Sequence, residues 1–211
     1  MTDFTDLKAQ ISDYANRGDW PDALVAGFIR QAEQIFKSDL RVDRQIQFDD
    51  ALIASRCAPL PDDWLEFVSG AGVKIQTNNA ADGFLPIRFM ARDQFFNTTD
   101  SWTYGFYTIQ GRQIFIGGPP DTIDGQTVKI TYYGEVPVFS DTQPSWIYTK
   151  YPSLYLNAAL YRAALHAVGE EQSAAGFKAL TDETITKLNA DHLRSKASGS
   201  RVTLPRVRSF G

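Results

Sequence analysis

Leu7, Ile11 and Tyr14 fall at spacings of four and three in "FTDLKAQISDYAN" (residues 4–16), the neighbour distances on one helical face. The chain therefore opens on a short amphipathic helix. "RGDW" breaks the pattern, and Pro21 stands where a first-turn proline is tolerated, with Asp22 favourably close to a helix N-terminus. Across residues 21–40 one stripe is Leu24, Phe28, Ile35 and Leu40, and an adjacent one is Val25, Ile29, Ala32 and Phe36. So wide an apolar surface predicts packing on both flanks.

From "RQIQFDDALIAS" the helical period is lost, and Pro59 and Pro61 in "APLPDDWLEF" oppose a regular helix. A β-rich region is placed from residue 59. Between residues 64 and 139, "GVKIQT", "FLPIRF", "YGFYTIQ", "RQIFIG" and "TVKITYYGEV" are short, β-branched and aromatic, separated by Gly, Pro, Asn or Asp. Gly111 between "FYTIQ" and "RQIFI" predicts a tight hairpin, and "GGPPD" with Gly117, Gly118, Pro119 and Pro120 predicts a loop.

"SLYLNAALYRAALHAVG" returns to helix, with Leu154, Ala158, Tyr161 and Leu165 on one face, Ser153 as N-cap and Gly169 as stop. A fourth helix, from about Glu170 to Leu193, carries Phe177, Leu180, Thr184, Leu188 and Leu193, and "SKASGS" dissolves its pattern. The expected fold class is α+β. Neither helix pair alone offers enough layers to cover its stripes, so the N-terminal pair (residues 1–58) and the C-terminal pair (146–195) form a four-helix bundle. A β-rich domain (59–145) is inserted, and an extended C-terminal arm (196–211) follows.

Charge changes this picture at one end. Residues 194–211 hold Arg194, Lys196, Arg201, Arg206 and Arg208 and no carboxylate side chain; removing these five from the 21 Lys and Arg leaves 16 against 25 Asp and Glu, a formal charge of -9 on residues 1–193. An acidic body opposes broad nonspecific DNA binding over the outer surface. The 211 residues, 43% hydrophobic and 13% aromatic, suffice for a packed core. No apolar run approaches the roughly 18 residues of a membrane span, and "MTDFTDLKAQ" has no apolar signal region, so a soluble, unexported protein without a membrane partner is expected. "NTT" at Asn97 reads as an ordinary polar turn.

Candidate chemistry is sparse. His166 and His192 stand on different expected helices and read as surface or interface residues. The single cysteine, Cys57, rules out an intrachain disulfide, and its surroundings carry no nucleophile signature; a small buried residue is expected. The pairs Asp49 with Asp50, Asp62 with Asp63 and Glu170 with Glu171 are adjacent, which sends successive side chains in different directions. "SGAGVK" lacks the spacing of a phosphate loop. Trp64, Trp102, Tyr104, Tyr107, Tyr132 and Tyr133 suit either sheet core or a stacking surface. No enzyme, cofactor or metal is expected.

Several phrases in a fixed order carry a resemblance: "LKAQISDYANRGDWPDALVAGFIRQAEQIFKSDLRV", "LPDDWLEFVS", "YTIQGRQIFIGGPPD", "VKITYYGEVPVFSD" and "YPSLYLNAALYRAALHAVGEEQSAAGFKALTDETITKLN". Over roughly residues 4–197 the chain resembles the head-to-tail adaptor proteins of tailed bacteriophages, including the tubular tail proteins of podoviruses. The resemblance implies a ring, commonly of twelve subunits, between the portal protein and a tail nozzle or tube, with double-stranded DNA passing through the lumen. It implies a virion or gene-transfer particle, assembled in host cytoplasm, and a C-terminal segment docked on the portal. In this chain the docking residues would be Arg201, Val202, Leu204, Arg206, Val207, Arg208 and Phe210, apolar anchors among cations. Gly111, Arg112, Gly117, Gly118 and Pro119 are the expected tail-side loop. Two other readings remain open: a tail-completion or terminator ring, and a carbohydrate- or nucleic-acid-binding module using the aromatic β region.

Overall fold

A computed structural model describes residues 3–68, 72–76, 83–97, 105–118, 123–167 and 169–199. Its elements in chain order are α1 (Asp3–Tyr14), α2 (Asp22–Asp39), β1 (Ile46–Leu52), β2 (Cys57–Pro59), β3 (Trp64–Phe67), β4 (Val73–Gln76), β5 (Phe84–Pro86), β6 (Arg88–Phe89), α3 (Arg92–Asn97), β7 (Phe106–Gln110), β8 (Gln113–Ile116), β9 (Thr127–Gly134), α4 (Trp146–Lys150), α5 (Pro152–His166) and α6 (Glu171–Gly199). The class is α+β. The chain divides into two compact units: Met1–Asp43 with Val136–Gly211, and Arg44–Glu135.

The first unit is helical. α1 buries Phe4, Leu7 and Ile11, while Tyr14, expected on that face, is 71% exposed. α2 begins after Pro21, which holds extended backbone, and buries both its stripes through Val25, Phe28, Ile29, Ala32 and Phe36. α5 touches α1, α2, α4 and α6. Its inward face is Leu154, Tyr155, Ala158, Ala159 and Ala163, while Leu165 is exposed. The small alanines admit close neighbours on several sides. α5 starts at Pro152 after Tyr151, so Ser153 lies inside the helix rather than capping it; a missing N–H at the first turn costs nothing there. Ser145 instead caps the short α4 by accepting the Tyr148 N–H.

α6 buries Ala174, Thr181, Ile185 and His192, with Leu180 and Leu193 exposed. It continues past Leu193 through "SKASG" to Gly199. Those residues lack an apolar stripe, but none before Gly199 opposes helical backbone.

The second unit is built of strands. Its first strand begins at Ile46, ahead of the position expected from the prolines. Ala51 and Ile53 point inward, but Phe48 and Leu52 point outward, which blurs the period-two signal. One sheet runs β1-β9-β4-β5, with β3 also on β9; the other runs β2-β8-β7-β6. β9 is central in the first, pairing with β1 from Ile46 opposite Tyr133 to Leu52 opposite Thr127. Its other side pairs with β4 and, across a register shift between Trp64 and Glu66, with β3. Val73, Ile75, Ile114, Ile116, Ile123, Val128 and Ile130 fill this unit's core. "FLPIRF" is two short strands, because β5 pairs antiparallel with β4 while β6 pairs parallel with β7.

Candidate functional site

The expected docking residues Arg201, Val202, Leu204, Arg206, Val207, Arg208 and Phe210 lie outside the described residues, as does Pro119. The helix that precedes them in the chain is described. Asn189 on α6 accepts the Arg41 N–H through Oδ1 at 2.8 Å and donates Nδ2 to the Asp39 carbonyl at 2.7 Å. One turn on, His192 is buried with Nδ1 2.7 Å from Asp43 Oδ1. Helix C-termini leave carbonyls without intrahelical partners, and Asn189 answers one at the end of α2. α6 is thereby held side-on to residues 39–43 near its own C-terminal end.

A second polar group is buried within the helical unit. Glu33 lies on the inward face of α2, where Oε1 accepts the Phe139 N–H at 2.7 Å and the Tyr155 O–H at 3.1 Å. Burial holds its carboxyl above the ordinary carboxylate range, opposed by those two hydrogen bonds and by Arg30. The Tyr155 phenol is pushed up by its own burial and by the charge of Glu33. The pair fixes the irregular segment after Val136 onto α2, since a buried carboxylate without these donors would be costly.

In the β unit the hairpin turn is where the sequence put it. Gly111 has φ +61 between Gln110 and Gln113, a left-handed value that glycine adopts without strain. Arg112 donates Nη2 to the Pro61 carbonyl at 2.6 Å, and Leu60 N–H donates to the Arg112 carbonyl at 3.0 Å. The turn is exposed, yet its backbone is docked on residues 60–61. Gly117 and Gly118 are buried, with Gly117 N–H donating to the Phe106 carbonyl at 2.8 Å.

The aromatic residues that suited a stacking surface go inward. Tyr107, Tyr132 and Tyr133 are buried and Trp64 is half-buried, while Trp102 and Tyr104 lie outside the described residues. The Tyr132 O–H donates to Asp63 Oδ1 at 2.8 Å, and burial together with that acceptor pushes the phenol up. Asp63 thus anchors a core tyrosine. Cys57 is half-buried on edge strand β2 rather than fully enclosed, and burial pushes its thiol up, away from thiolate reactivity. His166 is exposed beside Trp20 and Phe28. Among the described residues no group of three or more His, Cys, Asp or Glu converges to hold a metal ion, and no helix is long and apolar enough to cross a membrane.

Asn189 and Glu33 were passed over in the sequence. Glu33 left a signal, because it stands four residues after Ile29 and three before Phe36 on a stripe that is otherwise apolar. Asn189 left none, since its partners are backbone groups on a distant helix end. A protein-family model described as SU10 adaptor protein matches residues 2–206. No curated protein matches the chain.

Proposed function

The chain belongs to the SU10 adaptor protein family, a family of phage head-to-tail adaptors, and from that premise we propose that it forms a ring below the portal, joins head to tail and lets double-stranded DNA pass. Membership makes it a structural component of a phage particle that assembles with portal and tail proteins. The match over nearly the whole chain is the observation that carries the reading. Twelve subunits, a portal-docked arm and an acidic lumen are the finer terms of the proposal.

Physical support comes from the charge partition and from the way α6 is held. The body carries a formal charge of -9 and residues 194–211 carry five cations, so a wall of like charge discourages phosphate from sticking while the arm seeks carboxylates. Val202, Leu204, Val207 and Phe210 add apolar anchors that a purely electrostatic DNA contact does not need. Asn189 and His192 hold α6 a few residues before the arm, which transmits load from a docked arm into the helical unit. On the tail side the proposed contact narrows to Gly111 and Arg112, because Gly117 and Gly118 are buried.

Full-length protein and a variant ending at Gly199 are each mixed with the cognate portal, and mass and symmetry are measured. The full-length chain is expected to join a portal-sized ring and the shortened one to fail. Equal binding by both removes the docking role of the arm, and no binding by either removes the adaptor ring reading.

A further inference from the structure

Among the described residues no strand pairs beyond two edges of the β unit, and each edge has a strand from both sheets. β1 ends the first sheet and β2 ends the second; β5 ends the first and β6 the second. On the first edge Phe48 and Leu52 are 79% and 68% exposed, beside exposed Asp49 and Asp50. On the second, Leu85 and Phe89 are 47% and 60% exposed, beside exposed Arg88 and, at the start of α3, Arg92. Among the described residues Asp49 and Asp50 have no cation within ion-pair distance, and Arg88 and Arg92 have no carboxylate. Lys129 is opposite Asp50 in the register, yet its Nζ lies 4.2 Å from the centre of the Phe84 ring, toward the second edge.

One edge thus joins large apolar side chains to carboxylates, and the other joins them to guanidiniums, none of them in an ion pair among the described residues. Single exposed apolar residues are ordinary, but four arranged on two strand edges with matched charges are a complementary pair. A two-fold contact of either edge with its own copy would bring like charges together. Head-to-tail contact brings opposite charges together, and such contacts close into rings when the rotation closes. Backbone pairing has little part in it, because the Asp50 N–H is already taken by Asp49 Oδ1 at 2.9 Å and Pro86 has no N–H.

We infer that edge 46–52 of one copy packs against edge 85–92 of the next, side chain to side chain, as the contact between neighbouring subunits. This rests on the ring reading above and names the surface that closes the ring.

The test mixes full-length protein with its cognate portal and follows ring assembly by mass and electron microscopy. The variants are Asp49→Lys with Asp50→Lys, and Arg88→Glu with Arg92→Glu, all at exposed positions, with folding checked by circular dichroism. Each alone is expected to need at least about tenfold more protein to assemble, since like charges face each other. An equimolar mixture is expected to recover to within about twofold of the unaltered protein, because the two variants alternate with opposite charges in contact. As a second measurement, Leu52→Cys with Phe89→Cys in a Cys57→Ser background is expected to give an oxidative ladder of multimers. Variants that assemble normally alone, a mixture that fails to recover, or cross-linking that stops at dimers or does not occur overturns the edge contact while an unaltered ring stands. If the unaltered protein makes no ring on the portal, the ring reading fails, and the edge contact with it.

Discussion

The helical unit takes its core from both ends of the chain, Phe4 to Leu40 and Val136 to Ile185, whereas the β unit takes its core from one stretch, Ala51 to Tyr132. In the strand unit β7 and β8 are joined by a two-residue turn, while β9 draws β1, β3 and β4 together from distant positions within that one stretch. The helical unit must close the whole of residues 44–135 before its halves meet, and that closure costs entropy before any contact repays it. The two units also bury polar groups differently. The helical one holds Glu33 and His192 inside, reaching across its halves to Phe139 and Asp43. The β unit buries the neutral Gln45 and Thr108 but keeps Asp124 outside, where it accepts the N–H groups of Ser55 and Arg56 at an exposed turn. The helical unit fixes the register of its distant halves with buried, directional bonds, since apolar stripes alone slide, whereas the strand unit fixes its distant strands by the backbone ladder and by side-chain alternation, and its β7–β8 hairpin by the turn.

The largest test of this contrast is Phe36→Ala. Phe36 is fully buried, with its ring 4.8 Å from that of Tyr155 in the other half of the unit, and its loss is expected to cost about 3–5 kcal/mol in urea unfolding. Hydrogen exchange should rise in α5 as well as α2; a rise restricted to α2 breaks the idea of a core shared by both ends.

A smaller loss is expected from Gly72→Ala in the β unit. A Cβ there would lie 2.7 Å from the Val68 carbonyl oxygen and 2.8 Å from Phe67 Cβ, neither of which is a flexible side-chain end. About 1–3 kcal/mol of destabilisation is expected from such overpacking. An unchanged melting temperature would show that β3 and β4 are not held as closely as their pairing with β9 implies.

Glu33→Gln is expected to change a slope more than a midpoint. Because burial raises the Glu33 carboxyl above its ordinary value of 4.5, the folded state holds a proton that the unfolded state has released. That contribution is complete below pH 4.5 and is lost as pH rises through the raised value. Denaturation midpoints across this window should fall with pH in the unaltered protein and flatten in the variant. Equal slopes would mean that Glu33 titrates alike in both states.

Much of the architecture was legible in local pattern. Leu7 and Ile11, the double stripe of α2, the hairpin at Gly111 and the return to helix in "SLYLNAALYRAALHAVG" follow from periodicity and turn chemistry within a few residues, whereas the short α4 ahead of it was not read. The first strand was not legible, because Phe48 and Leu52 face outward and imitate a core strand's other side. Leu165, Leu180 and Leu193 misled in the opposite way, since helical spacing marks a face without telling which face has a neighbour. Of the candidate site, the charge partition was readable, while the hydrogen bonds that hold α6 against residues 39–43 were not.

The sequence by itself determined the types of most elements, the acid body with its basic end, and the phrases that identify the family, all properties of residues near one another in the chain. Only the tertiary structure decided that Glu33 is enclosed, that Asn189 closes the end of α2, and that the two edges of the β unit carry opposite charges. Glu33 and Phe139 are 106 residues apart, and Asn189 and Asp39 are 150 apart. No local preference of either partner specifies such a pairing, because whether a polar group is buried depends on which distant surface packs over it.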